Sequence, residues 1–127
     1  MRPNILIVDD TIEYGELVQA SLMRSGLQAD YVYNGQMALE YLNERMPDVM
    51  LLDIEMPRMD GYELATHMRN DPRLREVPII MITSRSGDKH RQRAFEIGVN
   101  RYLGKPYQEA ELMRNVFELL TPVHNDG

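Results

Sequence analysis

Three acids, a hydroxyl and a lysine are the side chains of this 127-residue sequence best placed to do chemistry. Asp9 and Asp10 end the apolar run Ile5 to Val8, and Asp53 ends the run Val49 to Leu52. Thr83 and Ser84 close Pro78 to Ile82, and Lys105 with Pro106 follows Asn100 to Gly104. Taken singly, each has an ordinary reading as a solvated turn or a helix cap. Together they are less easily dismissed. Carboxylates a few ångströms apart repel, so at neutral pH they need a cation or shifted pKa values. Hard oxygen donors around one small site suit Mg²⁺, which takes few protein carboxylates and keeps several waters. With no cysteine and only scattered histidines (His67, His90, His124), zinc has no ligand set. A carboxylate beside Mg²⁺ can attack phosphorus to form an acyl phosphate. The charge on the phosphoryl oxygens would then be met by the metal, the Lys105 ammonium and the Thr83 hydroxyl. The set reads as a phosphoryl-accepting pocket.

Such a pocket needs elements that bring its members to one edge. Short β-branched or apolar runs at Ile5–Val8, Ala29–Tyr33, Val49–Leu52, Pro78–Ile82 and Asn100–Gly104 read as strands. Between them lie helical periodicities: Tyr14 to Leu22, Ala38 to Met46, Leu64 to Met68, Asp88 to Ile97, and finally Leu112 to Leu120. Gly26, Pro47, Pro72 and Gly98 punctuate them. Five strands alternating with five helices predict an α/β fold, a parallel sheet with helices on both faces. In such sheets ligands bind beyond the carboxyl ends of the strands, where strand order reverses. All the residues above fall at that edge.

Composition narrows the classes. Hydrophobic residues make up 43% and charged residues 27%, enough for one well-packed domain and too much for disorder. The net charge of -6 opposes binding of nucleic-acid phosphates over a broad surface. The lack of cysteine excludes disulfides and thiol nucleophiles. No apolar run approaches the roughly 18 residues of a spanning helix, and no signal-peptide pattern precedes the first strand, so a cytoplasmic protein without membrane insertion is expected. Of the ten methionines, Met46, Met50, Met68 and Met81 fall at expected core positions, as packing filler.

In this order and at these separations, Ile7 to Asp10, Leu51 to Pro57, Met59 to Gly61, Ile82 to Ser84 and Lys105–Pro106 resemble the receiver domain of two-component response regulators, and specifically the single-domain chemotaxis type. The resemblance runs from about residue 4 to residue 120. It implies a flavodoxin-like, doubly wound five-stranded sheet of order 2-1-3-4-5, with a receiver unit over 1–121 and a flexible tail over 122–127. It implies that Asp53 takes the phosphoryl group from a sensor histidine kinase or phosphotransfer domain. Asp9, Asp10, Asp53 and the backbone carbonyl of Glu55 would hold Mg²⁺, and Thr83 and Lys105 would bind the phosphoryl group. Small Ser84 would leave the approach to Asp53 open. Tyr102, three residues before Lys105, occupies the place of the family's switch aromatic. Thr83 would move toward the phosphoryl group and Tyr102 would turn inward, reshaping the face of the fourth helix, fifth strand and fifth helix where a downstream protein docks.

Glu55 and Arg85 stand two residues beyond Asp53 and Thr83, positions that line the pocket rim in the family the chain resembles; paired across it, they would modulate dephosphorylation, and as independent solvated side chains they would not. The segment Arg85 to Arg101 carries five cations (Arg85, Lys89, Arg91, Arg93, Arg101) against Asp88 and Glu96, a solvated face or a docking surface for an acidic partner. Two other classes compete. A Mg²⁺-dependent aspartyl-phosphate hydrolase needs a general acid and a water-excluding cap, and only Glu55 stands near Asp53 with no insertion for a cap. A nucleotide or flavin binder needs a phosphate-cradling loop after the first strand, where Asp9 and Asp10 put negative charge instead. The expected product is a phosphorylation-controlled binding module that acts through a partner. A receiver excised from a hybrid kinase or multidomain regulator, or a phosphate sink, is the alternative.

Overall fold

Valine, isoleucine, leucine and methionine on alternating sides of short strands require two apolar surfaces, one for each face of the sheet. The computed structural model of the chain, which describes residues 2–85 and 87–121, supplies both. The elements follow in strict alternation: β1 (Asn4–Val8), α1 (Ile12–Arg24), β2 (Gln28–Val32), α2 (Gly35–Glu44), β3 (Val49–Leu52), α3 (Gly61–Asn70), β4 (Ile79–Thr83), α4 (Asp88–Ile97), β5 (Arg101–Gly104) and α5 (Glu109–Leu120). All strand pairs are parallel, in the order β2-β1-β3-β4-β5, the flavodoxin-like arrangement.

The two-residue period of the strands sorts the core into two layers. Leu6, Val8, Met50, Leu52, Ile79 and Met81 pack with α2, α3 and Ala94 of α4. Ile5, Ile7, Val49, Leu51, Ile80, Ile82 and Leu103 pack with α1 and α5. Caps set the helix limits: the Asn34 and Asp60 side chains accept from Met37 N–H and Glu63 N–H, and Gly98, at φ 111°, ends α4 in the left-handed conformation.

The expected elements are all present, with bounds displaced by up to three residues. Thr83 is the last residue of β4 rather than a turn after it. One core assignment is corrected. Met46 is 55% exposed and lies beyond the end of α2, because Arg45 already takes an extended conformation ahead of Pro47. Met50, Met68 and Met81 are fully buried. On α1, Gly15, Val18, Ser21 and Leu22 form the buried stripe, and Leu17 is 63% exposed. The tail expected over 122–127 lies outside the described residues. Among the described residues no helix is long and apolar enough to cross a membrane.

Candidate functional site

Parallel pairing of neighbouring strands brings the chemistry to one edge. Val8 faces Leu52 in the β1–β3 register, so the residues that follow, Asp9 and Asp53, emerge side by side, and Asp53 N–H donates to the Val8 carbonyl at 2.9 Å. Thr83 faces Gly104 in the β4–β5 register, and Lys105 N–H donates to the Thr83 carbonyl at 2.7 Å. β1 and β3 flank the point where strand order reverses, with β2 on one side and β4 on the other, so the crevice opens between the two acids.

One carboxylate oxygen from each of Asp9, Asp10 and Asp53 lies within 4.8 Å of the others. Asp9 and Asp53 are buried and Asp10 is exposed. Asp9 is fixed at both oxygens: Oδ1 accepts from Thr11 N–H at 2.9 Å, and Oδ2 accepts from Lys105 Nζ at 2.9 Å. Lys105 Nζ also stands 3.8 Å from Asp53 Oδ2. The cluster thus holds three acids against one cation. Burial pushes the Asp53 carboxyl up to about 6; the Lys105 charge and the Glu55 N–H oppose the rise, and Asp9 and Asp10 add to it. Three hard-oxygen donors with so little compensating charge fit a divalent cation, so Asp9, Asp10 and Asp53 could hold a metal ion.

Thr83 is fully buried, and its Oγ1 accepts from Arg85 N–H at 3.1 Å. Ser84, next to it, is exposed. Across the rim, Arg85 Nε donates to Glu55 Oε1 at 2.8 Å, joining the loops after β4 and β3. Tyr102 is not in the acid cluster: it sits on β5, half-buried against the α2–α3 layer, and its hydroxyl donates to the Arg85 carbonyl at 2.7 Å. Of the five cations between Arg85 and Arg101, Arg85 pairs with Glu55 and Arg101 with Glu118 at 2.8 Å. Arg91 and Arg93 lie over the rings of Phe95 and Tyr62.

Several supporting residues escape sequence reasoning. Gly61 opens α3 directly against the acid strand: its N–H donates to the Ile54 carbonyl at 2.9 Å, and an added Cβ would lie 2.3 Å from the Asp53 carbonyl oxygen. The Asp60–Gly61 pair was a visible signal, but its partner was not. Tyr31 donates to the Asp9 carbonyl at 2.6 Å, in space left by Gly15, whose Cβ would fall 2.2 Å from the tyrosine ring. Tyr14 on α1 faces Lys105, with Nζ 4.2 Å from its ring centroid. Burial raises the hydroxyl pKa of Tyr14 and of Tyr107, so both stay neutral at physiological pH.

Comparison with known proteins agrees with this geometry. The family model for the response regulator receiver domain matches residues 5–117. A phosphate regulon transcriptional regulatory protein of Rhizobium meliloti is 34% identical over 94% of this chain and 53% of its own length. A transcriptional regulatory protein of Pseudomonas aeruginosa is 37% identical over 92% of this chain and 48% of its own length. The chain therefore spans about half the length of these two relatives. Among solved structures, the receiver domain of a signal transduction histidine kinase from Syntrophus aciditrophicus superposes with a TM-score of 0.89 at 33% identity, covering 98% of this chain and 95% of that one. A chemotaxis response regulator of Vibrio cholerae gives 0.88 at 26% identity, covering 94% and 100%.

Proposed function

The chain belongs to the response regulator receiver domain family, the signalling domains of two-component systems that interact with histidine kinases and downstream effectors, and from that premise we propose that Asp53 is its phosphoryl acceptor. The observation that carries this reading is the acid cluster with its single lysine at the carboxyl edge of β1 and β3. A carboxylate oxygen of Asp53 attacks the phosphorus of a phosphohistidine on a sensor kinase or phosphotransfer domain. An O–P bond forms as the N–P bond breaks, and the imidazole leaves and is protonated. Lys105 and the Thr83 hydroxyl donate to the transferred phosphoryl oxygens. Asp9, Asp10, Asp53 and the Glu55 backbone carbonyl would hold Mg²⁺, which when bound neutralises charge on the phosphoryl group. Burial of Asp9 and Asp53 keeps that chemistry out of bulk water.

The only reactions assigned to the domain are its own phosphorylation and dephosphorylation. Thr83 and Tyr102 form the switch: Thr83 moves toward the phosphoryl group, and Tyr102 exchanges its bond to the Arg85 carbonyl for the space Thr83 leaves. The readout face is α4, β5 and α5, where a downstream protein docks. We assign the receiver unit to residues 1–121, ending with α5, and its place to the cytoplasm, where sensor kinases present phosphohistidine.

The test is incubation with acetyl phosphate and Mg²⁺ followed by intact mass. The parent protein is expected to gain one phosphoryl group and Asp53→Asn none. No gain in the parent, or an equal gain in the variant, overturns the assignment.

A further inference from the structure

Two carboxylates approach the Lys105 ammonium, and the nearer, Asp9, attracts it more strongly than Asp53 does. A flexible lysine stem could settle onto Asp9 alone or swing outward, yet the side chain is only 17% exposed. An aromatic ring also lies against it. The Tyr14 ring lies under Nζ, with the centroid at 4.2 Å. Tyr107 meets that ring edge-on, the centroids 5.8 Å apart and the planes at 83°. Tyr14 comes from the first turn of α1, just beyond Asp9 and Asp10, and Tyr107 from the segment just beyond Lys105. The cradle is thus built on the two chain segments that carry its contents.

A ring face attracts a cation within about 6 Å without taking a hydrogen bond from it. A carboxylate in the same place would compete with the phosphoryl oxygens for the N–H donors, and a water would let the ammonium drift. An aliphatic side chain would fill the volume but supply no attraction. We propose that Tyr14 is a positioning residue for phosphoryl acceptance: its ring holds the Lys105 ammonium within reach of Asp53, and Tyr107 holds the ring. The role rests on the reading that Lys105 binds the phosphoryl group.

Tyr14→Phe keeps the ring and Tyr14→Leu removes it at similar bulk. With acetyl phosphate and Mg²⁺, Tyr14→Leu is expected to be phosphorylated about 5-fold more slowly, and Tyr14→Phe to return to within about 2-fold of the parent. In a Lys105→Met background the Leu substitution should change nothing further. A spectroscopic signature, independent of turnover, accompanies this. The Lys105 Cε protons should be ring-shifted upfield in the parent and in Tyr14→Phe, and return to ordinary lysine positions in Tyr14→Leu. Unmoved Lys105 shifts in Tyr14→Leu overturn the proposal, as does an equal slowing by that change with and without Lys105. Failure of the underlying reading looks different: Lys105→Met itself would then be phosphorylated at the parental rate.

Discussion

The two ends of the sheet handle charge in opposite ways. Away from the carboxyl ends of the strands, polar groups meet partners of matching kind. Asp30 accepts from the Tyr41 hydroxyl at 2.7 Å and from Arg45 at 3.3 Å, and Asp48 accepts from Asn4 N–H at 2.7 Å. Arg69 donates to the carbonyls of Gly98 and Arg75 and to Asn100 Oδ1, and Asn100 Oδ1 also accepts from Ile79 N–H. The exception among the described residues is Asn4 Oδ1, which is buried without a partner. At the carboxyl ends, Asp9, Asp10 and Asp53 crowd together with Lys105 as their cation. One end uses charge, chiefly that of Arg69, to hold the fold together. The other keeps charge uncompensated, and that imbalance is what a metal and a phosphoryl group can exploit. Removing charged groups should therefore have opposite effects at the two ends.

The largest effect is expected at the amino end. Arg69 is partly desolvated, and its three acceptors tie the end of α3 to the α4 cap and to the segment before β5. Arg69→Ala removes three charge-assisted hydrogen bonds and should cost about 2 to 4 kcal/mol in urea unfolding. Phosphorylation of the folded fraction should continue at the parental rate. A loss below 1 kcal/mol would erase the contrast between the ends.

At the carboxyl end the sign reverses. Asp53 is 6% exposed, and its folded-state pKa of about 6 stands above the ordinary 3.8. Between those values the folded chain binds more protons than the unfolded chain, so stability falls as pH rises through the window and stays low above it. Without divalent metal, Asp53→Asn should therefore stabilise the protein at pH 7 by about 2 kcal/mol, and the gain should disappear near pH 4. Urea titrations at both pH values decide it. A pH-independent gain would mean that the amide packs better, not that ionisation is the strain.

What the sequence could reveal follows the range of the interactions. Strands were legible because burial on both faces leaves unbroken apolar runs, and the acids were legible because they stop those runs. Parallel pairing then made one edge from four distant segments without further information. Met46 was misplaced because a helical spacing of apolar residues looks the same whether or not the backbone turns away at Arg45. Tyr14, Gly15 and Gly61 were not legible as site residues. Their meaning lies in what they touch, Lys105, Tyr31 and the Asp53 carbonyl, and each contact is set by how a helix seats on the sheet. Local pattern identifies the groups proposed to react; the packing that aims them is seen only in three dimensions.

The smallest effect on stability, and the sharpest distinction between the ends, is expected from the rim pair. Glu55 and Arg85 are about half exposed, like Asp30 and Arg45, so neither pair holds much of the fold. Their positions differ. Asp30 and Arg45 lie away from the reacting groups, whereas the 2.8 Å contact of Arg85 with Glu55 bridges the loops that carry Asp53 and Thr83. In the proposed function this bridge slows water on its way to an acyl phosphate on Asp53. Glu55→Ala and Arg85→Ala should each leave the urea midpoint unchanged and shorten the phosphoryl lifetime by about 2- to 5-fold, and the double variant should be no shorter-lived than either, since one bridge is lost in all three. The lifetime is read by intact mass after acetyl phosphate is removed, with Arg45→Ala expected to decay as the parent does. Parental lifetimes in both rim variants, or additive losses in the double, would reduce the pair to two independent surface side chains.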